Sequence, residues 1–152
     1  LCCKWTQAAV PRPILSPMAS LSLNVPRFLD TALLDSGLAA LAECHDTCQR
    51  CADAWLAHSP LGPDALRCIR LIVDCADLCA AAAEVLPEIE NESIALVRSR
   101  LNTCVFACER CAREAARHRA PHSAACVESC REAANVGRQL ISLLSTAAVA
   151  AA

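Results

Sequence analysis

The chain has no tyrosine, one methionine, two phenylalanines and two tryptophans, so aromatic residues make up only 3% of it. With 55% of the residues hydrophobic, alanine, leucine and cysteine must fill the interior. Three glycines and few β-branched runs leave little material for turns and strands, which points to an all-helical bundle. Neither sign of charge dominates: the net charge of −2 gives no surface for nucleic acid. Long apolar runs are also missing. The longest, "LISLLSTAAVAAA", is too short to span a bilayer, and prolines and polar residues break up the start "LCCKWTQAAVPRPILSPMASLSL" before it can act as a secretory signal. No membrane association is expected, and the cytoplasm is the expected compartment.

Cysteine is what the chain has in excess: thirteen in 152 residues. In the cytosol so many thiols more often hold metal than disulfides. The length corresponds to one domain, organised as a disordered extension over 1–25, a cysteine-lined helical bundle over 26–146 and an Ala-rich tail over 147–152. The single methionine is Met18, so residues 1–17 are expected to lie upstream of the fold.

Proline, glycine and capping residues divide the bundle. "NVPRFLDTALLDSG" suggests a short extra N-terminal helix ending near Gly37, and Ser36 is placed to cap a second helix running to about His58. Pro63 suits the first turn of a third, which ends before Pro87. Asn91, with Ser93 as the competing choice, caps a fourth that runs to about His118, and a fifth covers about His122 to Leu144. Short connections make the four long helices an antiparallel up-down bundle. A shift of sixty residues sets Cys44, Cys48, Cys51 and His58 on Cys104, Cys108, Cys111 and His118, so two related helix pairs each carry a thiol cluster.

Positions i, i+4 and i+7 return to nearly one angle on a helix, so Cys44, Cys48 and Cys51 share a stripe. Cys68, Cys75 and Cys79 form another, Cys104, Cys108 and Cys111 a third, and Cys126 with Cys130 a fourth. Leu41, Trp55, Ile72, Leu86, Val97 and Leu101 extend these stripes, which identifies them as core-facing. All eleven thiols fall in the half of the bundle near the loops around residues 60 and 120. His58, His118 and His122 stand around that end as candidates for admitting metal, and His45 lies off the stripe. One buried cysteine is ordinarily a small hydrophobe, and one helix-end histidine is ordinarily solvated. Eleven thiols on four inward stripes are not explained that way.

Radical-forming iron–sulfur enzymes share the C-x3-C-x2-C spacing but carry it on a loop, and ferredoxin clusters gather thiolates from flexible C-x2-C-x2-C runs. Here the spacing occurs twice, inside helices. Zinc in closed four-ligand sites is chemically reasonable but leaves thiols over. Cu(I) fits best: it is soft, takes two or three sulfurs, and a +1 ion for about each thiolate neutralises a buried thiolate core. A small zinc- or iron–sulfur-binding redox module is the alternative, and a helical oligomer with merely packed cysteines is a third. The sequence shows no acid–base pair or nucleophile constellation, so no enzyme is expected.

"LRCIRLIVDCADLCAAAAEVL", "CHDTCQRCADAW" and "CVFACERCAREAARH" resemble the four-helix-bundle copper-binding family, also called copper storage proteins and sometimes mislabelled as ferredoxins. The resemblance covers about residues 36 to 145. It implies a bundle whose inward cysteines hold many Cu(I) ions, often in a homotetramer, served by copper donor or acceptor proteins. Carried residue by residue, it assigns ligand roles to Cys44, Cys48, Cys51, Cys68, Cys75, Cys79, Cys104, Cys108, Cys111, Cys126 and Cys130, and metal admission to the end near His118 and His122. Trp55, Ala115, Ala133 and Ala134 stand one turn beyond cysteines, at Trp55 where many relatives have another, which lowers the expected capacity to roughly ten Cu(I), about one per thiolate.

Overall fold

The computed structural model describes residues 31–58, 60–89 and 93–150, without the side chains of 147–150. The expected extension over 1–25 lies outside these residues. Four helices make up the fold: α1 (Thr31–Leu56), α2 (Pro63–Val85), α3 (Ile94–Ala115) and α4 (Pro121–Ala150).

Each helix starts or stops for a local reason. Pro63 opens α2, where its missing N–H is no loss, and Asp64 places a negative charge against the helix N-terminus. At its end the Leu86 N–H reaches the Ala82 carbonyl before Pro87 halts the chain. α3 is capped by Ser93, whose hydroxyl accepts from the Leu96 N–H over 3.2 Å. The competing cap is therefore the one used, and Asn91 lies outside the described residues. α3 stops at Ala115, short of His118, and α4 starts at Pro121 and runs helically past Leu144 into the alanine-rich stretch.

One expected boundary is absent. α1 runs without a break through Ser36 and Gly37, so the expected stop near Gly37 and the cap at Ser36 are not there; the part of the extra N-terminal helix before Thr31 lies outside the described residues. Gly37 is buried, and a Cβ on it would meet Leu140 Cδ1 at 2.7 Å and Leu86 Cδ2 at 3.4 Å. Glycine costs about 1 kcal/mol in a helix interior relative to alanine. Here it lets α1 approach α4 closely, so it serves helix packing and not termination.

The helices form a ring in which α1 packs on α2 and α4, and α3 packs on α2 and α4. Diagonal partners do not approach through their backbones among the described residues. The core consequently divides along the axis. Leu41, Leu86, Val97, Leu101, Leu140 and Leu144 fill one half, with Leu38 partly buried beside them. The eleven cysteines fill the other half, none more than 2% exposed. Ile72, fully buried, is the branched aliphatic side chain of the α2 stripe that stands among the thiols.

Candidate metal centre

Because each stripe points at the bundle axis, the helical register alone brings sulfurs from all four helices together. Diagonal helices meet through them: Cys44 Sγ on α1 lies 4.0 Å from Cys108 Sγ on α3, and Cys75 Sγ on α2 lies 3.8 Å from Cys130 Sγ on α4. Around this crossing stand Cys44–Cys130 at 3.7 Å, Cys48–Cys130 at 3.7 Å, Cys75–Cys108 at 3.6 Å and Cys79–Cys108 at 3.6 Å. Towards the loops the column continues through Cys48–Cys126 at 3.8 Å and Cys111–Cys126 at 3.7 Å. Towards the apolar half it ends on Cys104, 3.6 Å from Cys79 and 4.0 Å from Cys108.

These spacings form a pattern suited to metal. A tetrahedral ion with bonds of about 2.3 Å to sulfur sets its ligands about 3.8 Å apart. Three groups of four thiols come near that spacing, with all sulfurs of a group within 4.8 Å of one another: Cys44, Cys75, Cys79 and Cys108; Cys44, Cys48, Cys75 and Cys130; and Cys48, Cys111, Cys126 and Cys130. The first and third have no member in common, and the second takes two from each. The groups therefore overlap into one column, in which Cys44, Cys48, Cys75 and Cys130 each belong to two. Cys51 and Cys68 lie at the loop end, 1% and 0% exposed, and the neighbouring Cys126 thiol pushes the Cys51 pKa up.

Protons in such a column are shared unequally. Cys75 donates to Cys108. Cys108 is held below the ordinary thiol range by its bonds to Cys104, Cys130 and Cys75, whereas Cys75 is pushed above it, chiefly by its bond to Cys108 and further by burial. Cys126 is drawn down to about 5, first by its bond to Cys111. Cys68 is pushed up to about 11, mainly by burial and then by the charges of Cys111, Glu114 and Cys126. An ion that replaces these protons takes over neutralising the buried sulfur.

The three histidines assigned to the loop end also come together there. Trp55, one turn past Cys51, packs nearly perpendicular to His118 (centroids 5.0 Å, 79°) and to His122 (5.2 Å, 84°). His58 stacks beyond His122 at 6.4 Å, and its Nδ1 donates to the Ala54 carbonyl at 2.7 Å. The Nε2 atoms of His118 and His122 are buried without a hydrogen-bond partner among the described residues. His45 stays off the column, bonded through Nδ1 to the Ala76 carbonyl at the α1–α2 seam.

Three features of this end were not read from the sequence. Trp55 reads as an extension of a stripe and as the residue in place of a further cysteine, and its contact with two histidines depends on how α1 packs against the α3–α4 loop and α4. Glu114, 9% exposed, joins Arg67 of α2 at 3.3 Å and Arg117 at 3.4 Å. Its position three residues past Cys111, on the inward face, is the signal that could have found it. Ser123, 1% exposed and next to His122 in the chain, has a buried hydroxyl without a hydrogen-bond partner among the described residues.

A sequence model of the copper storage protein family (Csp) matches residues 31–142. No curated protein sequence matches the chain. Among solved structures, a Streptomyces lividans Ccsp variant with one histidine changed to alanine aligns at TM-score 0.71 and 33% identity, covering 76% of this chain and 98% of that one. The cytosolic copper storage protein from Streptomyces lividans carrying five coppers aligns at 0.69 and 32%, covering 73% and 93%. Ccsp from the same organism loaded with 10 copper equivalents aligns at 0.73 and 30%, covering 81% and 93%. The four-helix bundle and its thiol column are thus found in a chain that belongs to the copper storage protein family.

Proposed function

We propose that this protein binds Cu(I) on its core thiols and stores it in the cytosol, without catalysis. The observation that carries this reading is the overlap of the three four-thiol groups into one buried column. Isolated closed sites suit a divalent structural ion, but overlapping ones let each thiolate bridge several soft monovalent ions. All eleven cysteines, Cys44, Cys48, Cys51, Cys68, Cys75, Cys79, Cys104, Cys108, Cys111, Cys126 and Cys130, are assigned as ligands, for a capacity of roughly ten Cu(I) at about one per thiolate. Ala115, Ala133 and Ala134, all nearly or fully buried, fill core positions without sulfur and support a capacity limited to these thiols.

His58, His118 and His122 are assigned to admission, because imidazole nitrogens at the loop end can pass a soft ion inward to Cys51 and Cys68. A homo-oligomer, a tetramer by resemblance to the family, is the assembly assigned, and Leu66 and Phe106, 53% and 57% exposed, are apolar side chains it could cover. Copper donor or acceptor proteins complete the role.

Anaerobic titration of the reduced, metal-free protein with Cu(I), in competition with a chromogenic chelator, tests the reading. Tight uptake near ten equivalents is expected, lost stepwise as core cysteines become serine. Saturation at two or three equivalents with zinc competing successfully would replace storage by a closed metal site.

A further inference from the structure

The loop end of the thiol column carries a cluster of rings, Trp55, His118, His122 and His58. A groove of about 1540 Å³ runs to this end; His118 and His122 stand in its wall and Cys51 borders it, while Trp55 does not line it and reaches it only through the two histidines it packs against. Yet Cys51 is only 1% exposed. Nitrogens meant to receive an ion from outside need access, but the Nε2 atoms of both histidines are buried and have no partner among the described residues. Trp55 is in contact with both, edge to face, and its own Nε1 is buried without a partner among the described residues. Three polar ring nitrogens withdrawn from water without hydrogen bonds among the described residues are costly to keep, and the edge-to-face ring contacts offset part of that cost. Trp55 follows Cys51 by one helical turn, so it covers the same stripe that carries Cys44, Cys48 and Cys51.

We propose that Trp55 is the lid of the thiol column. In the metal-free protein it holds His118 and His122 in a closed arrangement that excludes water and oxidants from Cys51 and Cys68. Metal is admitted when the indole turns off the two imidazoles and exposes their Nε2 atoms. Trp55 is then a positioning residue: it controls the rate at which the column fills, and the thiols set how much it holds. The metal part of this inference rests on the copper-storage reading; the lid itself does not.

Two measurements test it. The first uses no metal: anaerobic labelling of the reduced protein with an alkylating maleimide, with each cysteine followed by mass spectrometry. Trp55→Ala is expected to label Cys51 and Cys68 about tenfold faster than the parent, the factor set by losing two edge-on aromatic contacts of ordinary strength, with Cys79 and Cys104 unchanged. Trp55→Phe, which keeps a ring, is expected to restore slow labelling. A uniform rise over all eleven thiols would mean that Trp55 is only packing, and no rise at the loop end would remove the lid; either overturns the proposal. If Trp55→Ala does not fold, Trp55→Leu keeps the bulk and removes the ring contacts.

The second is stopped-flow transfer of Cu(I) from a chromogenic chelate. Trp55→Ala should load about tenfold faster to an unchanged end point. Equal loading rates with faster labelling would overturn the lid as a control on metal. If the parent takes up no copper while the labelling pattern holds, the storage reading fails and the lid stands.

Discussion

Cys75 on α2 and Cys130 on α4, on diagonally opposite helices whose backbones do not approach, bring their sulfurs to 3.8 Å across the bundle axis. In an ordinary four-helix bundle that space is filled by large aliphatic side chains from a and d positions. Small thiols reach the axis from all four sides and leave it lined with sulfur. The same register that makes a core therefore makes a container.

Position in the column should determine how much copper each thiol controls. Cys75 and Cys130 each belong to two four-thiol groups, whereas Cys51 belongs to none. Cys75→Ser or Cys130→Ser is expected to lower the Cu(I) capacity by about two equivalents, and Cys51→Ser by about one, because a bridging thiolate serves more than one ion. The competition titration reads this directly. Equal losses at all three positions would show that the thiols act singly and that the overlap of the groups has no consequence.

Metal-free stability should fall at alkaline pH. Burial favours the neutral thiol of Cys68 and pushes it up to about 11 from 9.0. A raised folded-state value means that the unfolded chain loses this proton first. The resulting stabilisation is complete below about pH 9 and lost as pH rises through 11, and it amounts to roughly 3 kcal/mol in all, an order-of-magnitude figure. Thermal unfolding of the reduced protein between pH 8 and 11 should show a falling Tm, with a shallower fall in Cys68→Ala. An identical slope in that variant would place the effect elsewhere in the column.

The thiol column was legible because helical periodicity acts on residues whose identity is unambiguous. Cys44, Cys48 and Cys51 declare a face of α1 by spacing alone, and Cys104, Cys108 and Cys111 declare the matching face of α3. Gly37 misled for the opposite reason. A glycine after a serine signals either a helix end or a close helix crossing, and only the neighbouring Leu140, about a hundred residues away in sequence, decides between them. Trp55 and Glu114 depended in the same way on partners from other helices. Local signals carried the elements and their inward faces; the contacts that close the loop end required the assembled bundle.

Capacity should also be expandable. Ala115 is fully buried one turn past Cys111, where a sulfur would extend the α3 stripe towards the loop end. Ala115→Cys is expected to add about one Cu(I) equivalent. The added atom crowds a packed site, a cost of about 1–3 kcal/mol, so the metal-free Tm should drop by several degrees while the loaded protein recovers most of it. Unchanged capacity would mean that the column ends at Cys111 and that the new thiol faces the ring cluster alone.

Gly37 provides the sharpest test of how the apolar half holds α1 against α4. Alanine there gains about 1 kcal/mol of helix propensity, but its Cβ would lie 2.7 Å from Leu140 Cδ1. Leu140 is fully buried, so moving that methyl disturbs its neighbours, at a cost of about 1–3 kcal/mol. The net expectation for Gly37→Ala is a metal-free Tm lowered by about 2–6 °C. In a Leu140→Ala background the clash is gone, and the same change should become stabilising. A double-mutant cycle with strong favourable coupling would establish that Gly37 is present for the helix crossing, and a cycle without coupling would return it to the role of a weak point in α1.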